Sequence, residues 1–358
     1  MPLKPLLTLR VTATATMLLL FVVAVTVAAV AQDTPTFSVN VKVVNVLATV
    51  RDKQGNIVNT LGKEDFLLQE DGRAQSIRYF TRETDLPLTL GLLVDVSGSQ
   101  VHAIEEEKRA SGAFTKDVLR ADKDSSFLIQ FAGEAELLQD VTRDPLKVQA
   151  SLQDLHTPKE EDNTVLMPGE GPHGRPGHGT RGGGTLLYDA IFLASDEMMS
   201  KQQGRKAIVV LTDGVDHGSK ISLDRAIESA QRADTMVYSI YFEGEGGSGD
   251  YGGTPQLQQR DSEHGKEVLE RLSNETGGRM FVVSNTNTVT QIYAQIQDEL
   301  RNEYNIGYSP DRAAGDTADY RHISLGVKPK DYKVQAREGY YASRQIDSVQ
   351  TQSGQVAQ

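Results

Sequence analysis

Apolar and polar positions along the chain fall into distinct regimes. After an apolar N-terminal stretch, residues 37–86 alternate. The segment FSVNVKVVNVLATVRDKQGNIVNTL runs apolar–polar, turns at Asp52-Lys53-Gln54-Gly55-Asn56 and resumes. EDFLLQEDGRAQSIRYF follows, with a second turn at Asp71-Gly72. Period-two alternation bounded by such turns marks half-buried strands. Three or four antiparallel strands are expected here, too few to close a sandwich alone.

From residue 87 to 303 the period changes. Leu88 to Val94 is the continuous apolar run LTLGLLV, as in a strand covered on both faces. Helical spacing follows over about 101–120. SSFLIQFA (125–132) then predicts a strand and AELLQD a short edge strand. Leu186 to Ser200 is helical, KAIVVLT (206–212) a buried strand, 221–233 a helix and MVYSIYF (236–242) a strand. Residues 264–276 predict a helix, MFVV (280–283) a strand and 287–303 a helix. Strands alternating with helices mean βαβ units, so the fold class is α/β, a doubly wound and mostly parallel sheet.

Residues 304–342 return to β structure in YNIGYSP, RHISLGVKP and YKVQAREGYYA. The simplest reconciliation pairs this segment with 37–86 as one small β-sandwich flanking an inserted α/β domain. Residues 343–358 are polar, rich in Gln and Ser, and expected to be disordered. Residues 157–184, TPKEEDNTVLMPGEGPHGRPGHGTRGGG, have no periodicity, and an unstructured stretch of this length is either functional or disordered.

Charge and composition narrow the function. The formal net charge of −12 argues against a nucleic-acid partner. The absence of cysteine excludes disulfides, thiolate zinc sites, a cysteine nucleophile and a Cys-linked lipid anchor. Lys4 and Arg10 precede an apolar run that ends at Ala29-Val30-Ala31, which has the form of a cleaved export signal over 1–31. An uncleaved anchor is the alternative, since about 20 apolar residues also span a bilayer. No second segment is apolar enough to span, so the mature chain is expected to lack a membrane span and to work in the periplasm or outside the cell.

The candidate chemistry begins at Asp95-Val96-Ser97-Gly98-Ser99, directly after the buried run. Open α/β sheets bind ligands at the carboxyl ends of their strands. One carboxylate and two hydroxyls in one turn are the hard oxygen donors that Mg²⁺ takes, and Gly98 is expected to allow a tight turn. Gly183-Gly184-Thr185 opens a helix and brings a further hydroxyl. Leu211-Thr212-Asp213-Gly214 ends another buried strand. A cap for the following helix is the plain alternative for Asp95.

DVSGS, GGT and TDG, in this order, resemble the metal-ion-dependent adhesion site of von Willebrand factor type A domains. The resemblance covers roughly 87–303. The flanks, EDFLLQEDG and YNIGYSP to REGYYA, are similar to the type A-related proteins of acidobacteria. The resemblance implies a Mg²⁺ or Mn²⁺ ion, with Asp95, Ser97, Ser99, Thr185 and Asp213 at the five motif positions. Ser97, Ser99 and Thr185 would coordinate directly, and Asp95 and Asp213 partly through water. The implied function is binding of a protein ligand that offers a carboxylate, without catalysis. A scaffold with a purely structural metal and a metal-dependent hydrolase are the rival functions.

Other signals are weaker. His173 and His178, with Glu160, Glu161, Asp162 and Glu170, could form a second metal site, but their spacing matches no standard ligand pair. Gly244-Glu245-Gly246-Gly247-Ser248-Gly249 fits a dinucleotide fingerprint, yet its acidic neighbours would repel phosphate. His217 is expected on a surface loop. The run Glu105-Glu106-Glu107 is expected to be the solvated face of the first helix.

Overall fold

The computed structural model describes residues 43–82, 86–100, 103–157, 184–242, 255–312 and 319–342. The leader 1–31, the groups from Glu160 to His178, the Gly244–Gly249 run and the tail 343–358 lie outside the described residues. Among the described residues no helix is long and apolar enough to cross a membrane.

The N-terminal segment forms β1 (Val44–Arg51), β2 (Phe66–Glu70), β3 (Arg73–Ala74) and β4 (Ile77–Thr81). Both predicted turns form. Gly55 N donates to Asp52 O at 3.1 Å. At the second, Asp71 and Gly72 both take positive φ, 48° and 76°, as a two-residue hairpin requires. The four strands do not make one antiparallel set. β1 and β4 belong to one sheet, and β2 and β3 to another.

The α/β part begins with β5 (Leu88–Asp95), whose eight residues are all buried. Helix α1 (Ile104–Val118), β6 (Ser125–Phe131) and β7 (Ala135–Thr142) follow. Helix α2 (Pro145–Gln153) was not expected, although its local signal is plain. Asp144 caps it, accepting from Leu146 N at 3.0 Å, and Pro145 takes the first turn. Helix α3 is regular over Leu187–Phe192, widens to a π-turn over Leu193–Met198 and tightens over Met199–Lys201. The order continues with β8 (Arg205–Thr212), α4 (Leu223–Arg232), β9 (Met236–Tyr241), α5 (Pro255–Thr276), β10 (Met280–Val282) and α6 (Val289–Arg301). Helix α5 starts nine residues before the predicted boundary, because its first turns lack an apolar stripe.

The six central strands lie in the order β10-β9-β8-β5-β6-β7. All are parallel except the edge strand β7, which runs against β6. One face carries α1, α2 and α6, and the other α3, α4 and α5. The architecture is therefore α/β with a mostly parallel central sheet, as the alternation predicts. Strand order reverses direction beside β5, so the switch point lies between β5 and β8.

The chain then adds β11 (Tyr304–Tyr308), β12 (Asp319–Val327), β13 (Lys333–Ala336) and β14 (Gly339–Ala342). Two small antiparallel sheets result, β13-β1-β11-β4 and β14-β12-β2-β3. Each mixes strands from before and after the α/β part. Between them Val46, Val50, Phe66, Leu68, Tyr304, Ile306 and Tyr308 form a separate core. An ion pair is buried inside it. Arg321 Nη1 donates to Glu70 Oε1 at 3.0 Å, and Tyr308 and Tyr340 donate their hydroxyls to Glu70 Oε2 at 2.6 and 3.0 Å. Removing Glu70 leaves the buried Arg321 with the Arg312 carbonyl at 2.9 Å and the more distant Asp319 carboxylate at 3.9 Å. Glu70→Ala is expected to lower unfolding free energy by about 3–5 kcal/mol, read by urea denaturation against the wild type.

Candidate metal-binding site

Asp95 is the last residue of β5 and is fully buried, at 0% exposure. Each of its oxygens has a partner. Ser97 N donates to Oδ1 at 2.9 Å and Thr212 Oγ1 to Oδ2 at 2.5 Å. Asp95 therefore spans the switch point, from β5 to the last residue of β8. It does not cap α1, whose N-cap is Ala103.

Past Asp95 the chain makes a short 3-10 turn over Gly98–Gln100. The turn brings Ser97 Oγ and Ser99 Oγ to 3.2 Å from each other. Ser99 Oγ donates to Asp213 Oδ2 at 2.7 Å. Gly98 is exposed, and a Cβ there would meet nothing within 4 Å, so the expected need for glycine between the serines is absent.

Asp213 follows β8 directly. Val215 N donates to its Oδ1 at 3.1 Å, which leaves Oδ2 facing the serine turn. Glycine is required at the next position. Gly214 has φ +77°, and a Cβ there would lie 2.4 Å from Gly265 O on α5. This close approach wedges the Asp213 loop against the helix. Thr185, 6% exposed, pairs through its backbone with His217, whose N–H donates to Thr185 O at 2.8 Å. Leu186 N donates to Ala132 O, beyond the end of β6, at 2.8 Å. The third loop is thus tied to the same carboxyl edge. The Thr185 hydroxyl has no hydrogen bond to the other four side chains among the described residues. His217 is exposed, as expected.

Asp95, Ser97, Ser99 and Asp213 therefore share one hydrogen-bonded cluster, and Thr185 stands on the adjoining loop. Two partners were missed from sequence. Thr212 orients Asp95. Gln100, wholly buried, donates Nε2 to Asp213 Oδ2 at 3.2 Å. Both lie next to motif residues, but nothing in the sequence aims their side chains inward.

The donor set fits a hard divalent ion, since every candidate ligand atom is oxygen. Among the described residues no three acidic or histidine side chains gather closely enough to hold a metal by themselves. Hydroxyls would have to complete any coordination sphere. Neither Asp95 nor Asp213 has a basic partner among the described residues. Burial, and then the charge of Asp213, push the Asp95 carboxyl up to about 7, against the pull of the Ser97 and Thr212 hydrogen bonds. Asp95 and Asp213 thus repel one another, and no basic side chain among the described residues offsets them.

Residues 90–215 and 177–295 match models of the von Willebrand factor type A domain. The chain carries a von Willebrand factor type A domain, a class of modules that often hold a divalent metal at such a site and are usually non-catalytic binding modules. An uncharacterized protein of Borreliella burgdorferi is 26% identical over 205 residues, 54% of this chain and 53% of that protein. The chain thus spans about half the length of that relative. Among solved structures, an aerotolerance-related membrane protein from Bacteroides fragilis is 19% identical and is matched with TM-score 0.41 over 60% of this chain and 98% of that one. The von Willebrand domain of a type V pili tip protein from Porphyromonas gingivalis is 10% identical, with TM-score 0.41 over 60% and 94%. Proximal thread matrix protein 1 from the mussel byssus, with zinc in its adhesion motif, is 11% identical, with TM-score 0.43 over 65% and 50%. These relatives lend no support to the likeness of the flanks to acidobacterial proteins.

The Asp95 environment sets the sign of a pH effect. A carboxyl whose folded pKa is raised stabilises the fold below its unfolded value, about 3.9, and loses that contribution as pH rises through about 7. In EDTA the wild-type melting temperature is expected to fall relative to that of Asp95→Asn between these values. Parallel melts across that range check it; curves that stay parallel would contradict it.

Proposed function

We propose that this chain is an exported module that binds a protein partner through a divalent metal ion. Asp95, Ser97, Ser99, Thr185 and Asp213 would hold Mg²⁺ or Mn²⁺. The observation that carries this reading is the pair Asp95 and Asp213 at the sheet's switch point, the first held by Thr212 and the second by Ser99, with no basic partner for either among the described residues. A bound ion would supply an electrophilic centre for an Asp or Glu carboxylate of the partner. The chain's own residues do the remaining work. The Ser97 and Ser99 hydroxyls offer neutral donors, so a bound ion would keep part of its charge for the ligand. Thr212 and the Ser97 N–H hold Asp95 still, and Gln100 and the Val215 N–H hold Asp213.

Export rests on the basic and apolar leader ending at Ala29-Val30-Ala31, and the place of action would be the periplasm or the outside of the cell. The acidic character of the chain would keep it soluble there. In the rival scaffold reading the ion only ties the three loops together. Asp95→Ala separates the two: a loss of partner binding with the fold intact supports adhesion, whereas a loss confined to stability supports the scaffold.

The first test is a thermal melt in EDTA and in Mg²⁺ or Mn²⁺, repeated with Asp95→Ala. An ion that binds only the native state stabilises by about 2.7 kcal/mol at 100 times its Kd. A rise in melting temperature that the variant lacks is the expected result. An unchanged wild-type melt at saturating metal would remove the metal from this reading.

A further inference from the structure

The segment after β5 buries two polar side chains. Glu107, expected on the solvated face of α1, is 1% exposed and stands on the buried stripe of that helix with Ile104, Ser111 and Phe114. Neither of its carboxylate oxygens has a hydrogen-bond partner among the described residues. Gln100 is the other, at 0% exposure, although Gly98 two residues earlier is exposed. The 3-10 turn fixes its backbone: Gln100 N donates to Ser97 O, and Ala103 N donates to Gln100 O, both at 2.9 Å. Among the described residues its side chain bonds only to the candidate site. Nε2 donates to Asp213 Oδ2 at 3.2 Å and to Ser99 Oγ at 3.4 Å. Its Oε1 is buried and has no hydrogen-bond partner there.

A buried acceptor without a donor destabilises the fold. An apolar side chain of the same length would avoid that cost, so stability does not account for an amide at this position. Charge sets its orientation: turned over, the amide would aim Oε1 at the Asp213 carboxylate. The donors on Asp213 are unevenly shared. Oδ2 takes both Ser99 Oγ, at 2.7 Å, and Gln100 Nε2, one donor for each lone pair, whereas Oδ1 takes Val215 N. Ser99 Oγ is engaged as well, since it gives its one hydrogen to Asp213 and accepts from the amide. The Gln100 N–H therefore sits on two oxygens, Asp213 Oδ2 and Ser99 Oγ, that the metal reading assigns to a cation.

We propose that Gln100 is a built-in competitor of the divalent ion: its amide N–H holds Asp213 Oδ2 and Ser99 Oγ, and an ion that takes either oxygen must displace it. This rests on the metal reading above. The amide is a dipole and offers Asp213 only a fraction of the attraction of a divalent ion, so the ion prevails, but at reduced affinity. Gln100 is thus a positioning residue that sets the cation concentration at which the site fills. The competing explanation is that the amide merely aims Asp213 and Ser99, in which case its loss weakens binding.

The test compares the full chain as wild type, Gln100→Met and Gln100→Asn. Methionine keeps the length of the side chain without a donor. Asparagine keeps an amide but, one methylene shorter, withdraws it from Asp213. Mg²⁺ and Mn²⁺ are titrated calorimetrically, and melts are recorded in EDTA and at saturating metal. Gln100→Met is expected to bind both metals about tenfold more tightly, a change of the size that residues behind metal ligands control, and Gln100→Asn to change in the same direction. In EDTA the variants should melt at or below the wild type, and metal should raise their melting temperatures by more than it raises that of the wild type. Loss of a residue that only orients a ligand weakens metal binding, by about 10–100-fold. Weaker or unchanged affinity in a folded variant, with metal still bound by the wild type, therefore overturns this proposal alone. If Gln100→Met fails to fold, Gln100→Asn decides. Uptake of neither metal by the wild type or the variants overturns the metal reading, and this proposal with it.

Discussion

The structure around the switch point depends on one buried carboxylate. Asp95 ends the central strand, is shut off from water and reaches across to Thr212 at the end of the neighbouring strand. A charge in such a place needs compensation. Hydrogen bonds from Ser97 N and Thr212 supply part of it, and among the described residues no basic side chain supplies the rest. Ser97, Ser99, Asp213 and Gln100 all arrange themselves around this imbalance. The close contact of Gly214 with Gly265 fixes the Asp213 loop against α5, and hydrogen bonds from Ser99, Gln100 and the Val215 N–H hold its carboxylate.

The α/β part is built to hold that geometry. β5 is flanked by parallel strands on both sides and covered by helices on both faces, and a side chain leaving its carboxyl end has little freedom. The chain enters from β4 and leaves into β11, adjacent strands of one sheet, so both ends of the α/β part are tied together. Glu299 near the end of α6 forms ion pairs with Arg51 of β1 and with Arg279. The side chain of Arg205, which begins β8, meets Glu303 just before β11 at 3.6 Å. These contacts lie at the opposite end of β8 from Asp213. They join the α/β part to the small sheets.

How much of this was legible in the sequence varies with the range of the signal. Strand and helix type follow from local periodicity, and the apolar run before Asp95 and the alternation along 125–303 were enough to define the α/β class. The order DVSGS, GGT, TDG marked three loops as candidates for one site. Residue type alone misread α1, where three consecutive glutamates suggested solvent although the third falls on the buried stripe. Helix α2 was overlooked because its Asp144-Pro145 start signal precedes a stretch with only a weak apolar stripe.

The sequence by itself determined which segments are strands or helices and which carboxylates and hydroxyls end the buried strands, because those properties repeat over a few residues. Tertiary structure alone decided what those side chains meet. The split of the N-terminal strands between two sheets, the pairing of β1 with β11 more than 250 residues away, the Gln100–Asp213 contact and the isolation of Glu107 are all long-range. Burial of a charge without a partner is a property of everything packed around it, and no local pattern encodes that.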